Sequence, residues 1–276
     1  MSGKRVLLVG AGDLGLRAAQ RLLAQGDEVW ALRRHPLAAG HERLHSLVAD
    51  LGRPDTLRGL PAGITHMVWS PAPGRRDAQA YETVFTQGLR RVFAALDAAA
   101  LQRVVFVSSS AVYSEHGGDW VDERTPAAPR GFNGRILLEA EQWLADQGLP
   151  AVALRLAGLY GPGRTQLLDR LRAGQARAPI DPPHWANRLH VDDAASAVAH
   201  LLALPDAQPV YIGCDDTPLP LHLLYGHLAG LLGAPMPMAG PAPADVGSKK
   251  LGNARLKASG WTPRWPDARD GYAHLI

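Results

Sequence analysis

Residues 5–15 read RVLLVGAGDLG, and this stretch decides how the rest of the chain is interpreted. Arg5–Val9 is a mainly apolar run with β-branched members and predicts a buried strand, whereas residues 16–25 predict a helix that ends before Gly26. In a strand–turn–helix unit, the spacing Gly-x-Gly-x-x-Gly permits a tight turn, a close approach of backbone to a pyrophosphate, and close packing of helix on strand. The alternative is an ordinary unit whose glycines serve packing alone. We predict a dinucleotide site at the free N–H groups of the helix start, formed by Gly10, Ala11, Gly12, Asp13, Leu14 and Gly15.

Composition indicates one globular domain, or a domain with a small lobe: 276 residues, 46% hydrophobic and 20% charged. The basic residues are scattered, so the chain lacks the Lys/Arg tract typical of nucleic-acid binding. No apolar window is long enough for a membrane span. The single cysteine, Cys214, excludes a disulfide within the chain and favours a reducing, cytoplasmic compartment.

The second predicted strand, Glu28–Leu32, ends in Arg33 and Arg34, where cofactor specificity is usually determined. An acidic side chain at this position binds the ribose 2′-hydroxyl of NAD, whereas an arginine accommodates the 2′-phosphate of NADP. The planar guanidinium group also suits bidentate phosphate binding. We therefore predict NADP(H) in preference to NAD; the alternative is that both arginines are solvated charges.

Strands alternate with helical patterns over the first 160 residues, which predicts a Rossmann-type, doubly wound parallel sheet of the α/β class. In such a sheet the loops that follow the strands meet at one edge. Asp50, Ser70 and Ser109 each follow a predicted strand, so we expect them beside the glycine turn. The further strands are predicted at residues 47–49, 66–69, 103–107 and 151–156, and the helices at residues 78–100 and 133–147.

Prolines become frequent after Gly161, and we predict a dinucleotide-binding domain at 1–160 and a small C-terminal substrate lobe at 161–276. The two are expected to be interwoven as a single structural unit. Residues 111–130 predict a long loop. The lobe is expected to contain helices at 193–204 and 221–232 and a strand at 210–213.

His190, Asp192 and Asp193 form a short cluster that could be taken for a metal site. Asp192 is better explained as the N-cap of the helix that follows. We predict no metal site.

Six further motifs follow the glycine turn in a fixed order along nearly the whole chain. They are Asp50-Leu51, Ser108–Tyr113, Asp122-Glu123 with Pro126, Arg155 with Tyr160–Arg164, Arg188–Asp193, and Leu251–Leu256 with Gly260-Trp261 and Pro263. In this order they resemble the extended short-chain dehydrogenase/reductase family, the group of NAD-dependent epimerases and dehydratases. The resemblance implies that Asp50 and Leu51 contact the adenine. It also implies a substrate pocket with Tyr160, Arg164 and Arg188, and it leaves open whether the chain is a homodimer.

The chain departs from this family at the catalytic pair. The family has Tyr-x-x-x-Lys at the start of the helix after the long loop, and Asn133 and Leu137 occupy these positions here. An amide has no proton to exchange near neutral pH, and leucine neither donates nor accepts a hydrogen bond. Loss of a general acid typically lowers the rate by about 10²–10⁴-fold. The spacing of the glycines is that of atypical family branches, and Phe85 replaces a helical asparagine found in many members.

Ser109 and Tyr113 are the candidate catalytic residues that remain. The structural alternatives are a strand-end cap for Ser109 and a packed tyrosine for Tyr113. Weaker candidates for a proton donor lie on the same loop: Glu115, His116, Asp122 and Glu123.

Two functions from different classes are compatible with these residues. The first is an NADP(H)-dependent oxidoreductase or epimerase-like enzyme, which acts on a small polar carbonyl or sugar-like substrate through a non-standard proton donor. The second is a catalytically silent NADP(H)-binding regulatory or scaffold protein. We favour the enzyme because the substrate-side motifs around Tyr160 and Arg188 are retained.

Overall fold

A seven-stranded parallel sheet forms the centre of the protein. The computed structural model describes residues 3–38, 40–244 and 246–276. The strands in chain order are β1 (Arg5–Val9), β2 (Glu28–Arg33), β3 (Leu44–Val48), β4 (His66–Trp69), β5 (Arg103–Ser109), β6 (Trp120–Val121), β7 (Ala151–Leu156), β8 (Gly158–Tyr160), β9 (Arg177–Ala178), β10 (Trp185–Ala186), β11 (Arg188–His190), β12 (Val210–Gly213), β13 (Leu219–Pro220), β14 (Met238–Ala239) and β15 (Lys250–Leu251).

The α-helices cover both faces of the sheet and build the C-terminal lobe. They are α1 (Asp13–Ala24), α2 (Ala78–Tyr81), α3 (Leu89–Ala95), α4 (Phe132–Asp146), α5 (Gln166–Arg172), α6 (Val191–Ala203), α7 (Leu221–Leu232), α8 (Ala254–Ala258) and α9 (Ala268–Ala273).

The strand order is β12-β7-β5-β4-β1-β2-β3, and every neighbouring pair is parallel. The chain proceeds outward from β1 in one direction and from β4 in the other, so the order reverses between these two strands. This reversal is where doubly wound sheets bind ligands. The predicted α/β class and Rossmann-type sheet are confirmed. Strand β12 comes from the region beyond residue 160, so both parts of the chain build the sheet.

Alternate residues of β1 belong to two different cores. Val6 and Leu8 pack with α1 and α6, whereas Leu7 and Val9 pack with the opposite layer around α3 and α4. A parallel strand covered on both faces needs apolar residues at every position, which explains the continuous apolar run. A third core lies within the lobe among α5, α7 and α9. Within the described residues, no helix is both long and apolar enough to cross a membrane.

The predicted helix at 78–100 is wrong as a single helix. A π-helical segment, Glu82–Gly88, separates α2 from α3, and the chain becomes extended at Leu96 before a short 3₁₀ turn at Ala98–Ala100. Gly88 lies against Leu51, where an added Cβ would be 2.9 Å from the Leu51 Cβ. The apolar spacing continues through the segment, so the pattern does not reveal the change in turn type.

The third strand begins earlier than predicted, at Leu44 rather than Leu47. It is an edge strand with partly exposed polar residues, which the apolar pattern missed. The predicted loop at 111–130 contains β6, which pairs with β15 from far along the chain. A pairing of such separation has no local sequence signal.

Asp192 is not the N-cap of α6, contrary to the prediction. The cap is His190, whose Nδ1 accepts a hydrogen bond from the Asp192 N–H at 3.2 Å. Asp192 lies in the first helical turn, and its carboxylate pairs with Arg17 Nη1 at 2.6 Å. Asp193 accepts hydrogen bonds from the N–H groups of Arg264 and Trp265, both at 2.9 Å.

Candidate functional site: two adjoining cavities at the sheet edge

The glycine turn connects β1 to α1 at the point where the strand order reverses. Gly10 has a φ of +86°, and an added Cβ would be 2.3 Å from the Pro71 Cα. At Gly15 an added Cβ would be 2.6 Å from the Gly10 carbonyl oxygen. Both positions therefore require glycine, the first for conformation and close approach and the second for packing of α1 on the turn.

Gly12 differs from the other two glycines because it faces open space. Among the described residues other than its two chain neighbours, no heavy atom lies within 4 Å of a Cβ added there. Gly12 is also the N-cap residue of α1, and as a glycine it has no side chain to cap the helix start. The first N–H groups of α1 are thus available to an anion, and the missing Cβ leaves room for it. This cradle fits a dinucleotide pyrophosphate.

A cavity of about 630 Å³ opens from the glycine turn along the edge of the sheet. Besides the turn, its walls include the ends of β2, β3 and β4. The predicted cofactor residues that line it are Gly10, Ala11, Gly12, Asp13, Leu14, Gly15, Arg33, Arg34, Asp50, Leu51 and Ser70. One predicted cofactor residue, Ser109, lines the neighbouring cavity instead.

The end of β2 contributes two guanidinium groups to this cavity. Arg33 is half-buried and Arg34 is exposed, and Arg75 lines the same region. Neither Arg33 nor Arg34 has a carboxylate partner in the part of the chain that the structure describes. Arg75, by contrast, pairs with Asp77 at 3.2 Å. Two unpaired guanidinium groups at the end of the second strand have the chemistry needed for a phosphate.

An ion-pair network joins the glycine turn to the lobe. Asp13 accepts hydrogen bonds from Arg17 Nε at 2.7 Å and from Arg164 Nε at 2.9 Å. Arg17 also contacts Asp192 across α1 and α6. Burial alone would raise the pKa of Asp13, but the two arginines outweigh it and lower the pKa below its usual value. Arg164, which the family resemblance places at the substrate, therefore lies at the cofactor cavity.

Asp50 and Ser70 make hydrogen bonds that fix two further parts of the wall of the first cavity. The Asp50 carboxylate accepts a hydrogen bond from the Gly52 N–H at 2.8 Å, which fixes the turn after β3. The Ser70 hydroxyl donates to the Gly10 carbonyl oxygen at 3.2 Å and so connects the end of β4 to the glycine turn.

A second cavity, of about 590 Å³, lies between the sheet edge and the lobe. In β8, Leu159 lines the first cavity and the preceding residue, Gly158, lines the second. In the loop after β4, Arg75 lines the first cavity and the next residue, Arg76, lines the second. The two cavities therefore adjoin. Among the described residues that line the second cavity there is no aspartate or glutamate, whereas its basic side chains are Arg76, Arg170, Arg177, Arg188 and Lys249.

The two positions that correspond to the family's tyrosine and lysine lie in different environments: one lines a cavity and the other is buried in the core. Asn133 lines the second cavity at the start of α4. Leu137 is 4% exposed and packs in the hydrophobic core beneath the sheet. Leu137 therefore makes apolar core contacts at the position where the family has a lysine ammonium group.

The candidate residues Ser109 and Tyr113 both line the second cavity. The Ser109 hydroxyl oxygen accepts a hydrogen bond from the Ala111 N–H at 3.1 Å, which leaves its hydrogen free for a ligand. The Tyr113 hydroxyl donates to the Asp122 carbonyl oxygen at 3.2 Å and accepts from Arg155 Nη1 at 2.8 Å. Both partners of the Tyr113 hydroxyl are thus groups of the protein itself, and burial raises the pKa of Tyr113.

A buried ion pair supports this wall of the cavity. Arg155 Nη2 donates to Glu141 at 2.6 Å, and the Ser108 hydroxyl donates to the same carboxylate. Glu141 lies on α4 and Arg155 on β7, so the pair ties the helix to two strands and to the Tyr113 hydroxyl. The arginine inside the otherwise apolar strand Ala151–Leu156 is a sequence signal that could have revealed this network.

Of the three residues predicted for the substrate pocket, only Arg188 lines the second cavity. Tyr160 is 1% exposed and stacks on Tyr272, with ring centroids 4.2 Å apart. Its hydroxyl has no hydrogen-bond partner in the described part of the chain, and burial raises its pKa. An added Cβ at Gly271 would be 1.9 Å from this hydroxyl, so Tyr160 packs beneath α9.

Comparison with known proteins identifies the class. The chain matches the NAD dependent epimerase/dehydratase family over residues 6–213. The protein belongs to this family, in agreement with the resemblance found in the sequence.

The relatives include proteins from several bacteria. Protein YeeZ of Escherichia coli strain K12 is 31% identical over 278 residues, which cover 96% of this chain and 97% of YeeZ. The 2-alkyl-3-oxoalkanoate reductase of Stenotrophomonas maltophilia is 28% identical over 260 residues, covering 84% of this chain and 76% of the reductase. A solved structure from Methylobacillus flagellatus is 39% identical, with a TM-score of 0.83, and the match covers 99% of this chain and 98% of that one.

Proposed function

We propose that this protein is an NADP(H)-dependent oxidoreductase for a small carbonyl substrate that bears an anionic group. The observation that supports this most directly is the pair of adjoining cavities, one built on the glycine turn and the other lined by basic side chains. The first cavity suits a dinucleotide, and the second would hold a substrate beside it.

The cofactor would be held by groups with distinct tasks. The N–H groups at the start of α1 would bind the pyrophosphate over Gly12, and Arg33 and Arg34 would bind the 2′-phosphate of NADP(H). When bound, NADP(H) supplies hydride chemistry at its nicotinamide. Asp50 and Leu51 would line the adenine end.

The basic lining of the second cavity favours an anionic substrate. Arg188 and its basic neighbours would orient a carboxylate or phosphate through charge-assisted hydrogen bonds. The reductase from Stenotrophomonas maltophilia, by its name, acts on a 3-oxoalkanoate, which is a carbonyl compound with a carboxylate. That likeness supports an anionic carbonyl compound as substrate here. The Ser109 hydroxyl would donate a hydrogen bond to the reacting oxygen.

The test is NADPH consumption by purified protein with a panel of 2-oxo acids, 3-oxo acids and aldoses. We expect turnover with at least one of the oxo acids, and a loss of about 10²-fold in kcat in Ser109→Ala, the scale seen when one donor to a developing oxyanion is removed. Tight NADPH binding without turnover on the whole panel would contradict the proposal. It would instead support a silent cofactor-binding protein, which the residues Asn133 and Leu137 favour.

The single cysteine bears on the cellular location. Cys214 is buried and has a free thiol. A chain without a disulfide suits a reducing compartment, which supports our proposal of a cytoplasmic protein.

A further inference from the structure

The four lysines of the chain differ in what their ammonium groups contact. Lys4 pairs with Asp27 at 3.4 Å, and Lys257 pairs with Asp216 at 2.7 Å. Lys250 lies over two tryptophan rings, 4.8 Å from the centroid of the nearer one. Each of these three charges is thus balanced by a carboxylate or an aromatic face.

Lys249 has neither kind of partner among the residues that the structure describes. The residue is 4% exposed, and its Nζ donates one hydrogen bond, to the Gly247 carbonyl oxygen at 3.1 Å. No carboxylate lies within ion-pair distance of it in the part of the chain that the structure describes. An ammonium group has three donors, and burial without compensation is unfavourable. Lys249 lines the second cavity, so two donors remain for a ligand there.

The segment around Lys249 is fixed against the wall that carries the catalytic candidates. Gly247 approaches the chain just after Tyr113 so closely that an added Cβ would be 2.4 Å from the Ser114 carbonyl oxygen. The Asn187 amide donates to the Lys249 carbonyl oxygen and accepts from the Leu251 N–H, both at 2.8 Å. The backbone on both sides of Lys249 is therefore held in place.

We propose that Lys249 is the proton donor of the reaction, in place of the tyrosine that this chain lacks. The inference rests on the proposed oxidoreductase function. As the carbonyl carbon accepts a hydride, the carbonyl oxygen takes a proton from the Lys249 ammonium group and an alcohol forms. The amine left behind regains a proton from water, so each turnover consumes one hydride and one proton.

The charges around Lys249 suit this role. Burial lowers the pKa of Lys249, and Glu115 opposes the shift. Glu115 is occupied by the N–H groups of Ser248 and Gly117, each at 2.7 Å. The neighbouring His184 is buried and its pKa is lowered, with Arg188 nearby as a further positive charge. A general acid works best when its pKa is near the working pH.

Three variants separate proton donation from mere charge. Lys249→Met removes both the proton donor and the positive charge. Lys249→Arg retains a positive charge, but its guanidinium group does not release a proton near neutral pH. Lys250→Met is the matched control, because Lys250 is the neighbouring lysine outside the cavity lining. We expect kcat to fall by about 10²–10⁴-fold in both Lys249 variants, with NADPH affinity and Tm retained. KM should change little in Lys249→Arg, and Lys250→Met should remain near wild-type.

A second readout does not depend on turnover. Competitive acetylation of the free protein at several pH values, read by mass spectrometry, measures the titration of each lysine amine. We expect Lys249 to titrate below the usual range of a lysine amine. Titration of Lys249 within that usual range, or wild-type kcat in Lys249→Arg, would overturn the proposal while the oxidoreductase function stands. A wild-type protein that turns over no carbonyl would overturn both.

Discussion

Asp215 is an acidic residue in a buried position at the junction of sheet and lobe. It is 2% exposed, and its Oδ2 has no hydrogen-bond partner in the described part of the chain. Burial raises its pKa to about 8; Asp267 adds to the shift, whereas Arg188 and the N–H groups of Thr217 and Ala268 oppose it. The folded protein therefore binds the Asp215 proton more tightly than the unfolded chain does.

This shift predicts a stability that falls with rising pH. An acid whose pKa is raised by folding stabilises the protein fully below its unfolded pKa of about 4, and the contribution is lost as the pH rises towards its folded pKa of about 8. We expect Asp215→Asn to gain free energy of unfolding relative to wild-type across this window, with no further change above it. Denaturant titrations at several pH values measure the difference. The exposed Asp206→Asn is the control, and a pH-independent difference for Asp215→Asn would contradict the prediction.

The environments of single side chains were the hardest feature to predict from the sequence. The departure at Asn133 and Leu137 is visible in the chain, but the side-chain environment that follows from it is not. Nothing in the sequence distinguishes Lys249, with one hydrogen bond in a cavity wall, from Lys250 beside it. The difference depends on β15 pairing with β6, a contact between distant segments.

At the scale of elements, the strand–turn–helix unit at the N-terminus has two kinds of glycine. Gly10 and Gly15 are required by close approaches within the fold, whereas Gly12 borders open space. Stability and cofactor binding should therefore respond to different glycines of one motif.

We expect Gly12→Ala to fold normally and to lose NADPH affinity by at least about tenfold, or 1.4 kcal/mol, because the new methyl group would occupy the pyrophosphate cradle. Its free energy of unfolding should stay within about 1 kcal/mol of wild-type, the usual cost of alanine at an N-cap. Gly15→Ala should lower both stability and affinity. Thermal unfolding and NADPH titration of the two variants measure this, and undiminished NADPH binding by Gly12→Ala would show that the cradle is elsewhere.

Elements with a clear apolar period were predicted well, since burial on one or both faces determines their pattern. The strands His66–Trp69, Ala151–Leu156 and Val210–Gly213 and the helix Leu221–Leu232 have the predicted bounds. The π-helical interruption after Tyr81 was missed because Phe85, Leu89 and Val92 keep a helix-like apolar spacing across it.

At the scale of the whole molecule, the sheet order brings distant segments to one edge. The glycine turn, Arg33, Arg34, Asp50 and Ser70 meet in one cavity, as the topology predicts for residues after parallel strands. Which of the two cavities each residue lines was not predictable, because that depends on how the lobe packs against the sheet. For that reason Arg164, predicted for the substrate pocket, lines the first cavity, and Ser109, predicted both for the cofactor site and for catalysis, lines the second.

The affinity of the purified protein for NADPH and NADH, titrated side by side at fixed ionic strength, tests the proposed cofactor site most directly. Charge-assisted hydrogen bonds to the 2′-phosphate, worth about 1.5–3 kcal/mol, should make NADPH bind at least about tenfold tighter. The double variant Arg33→Ala/Arg34→Ala should lose this preference and retain its affinity for NADH. Equal affinities in wild-type, or tighter binding of NADH, would contradict the assignment of the two arginines.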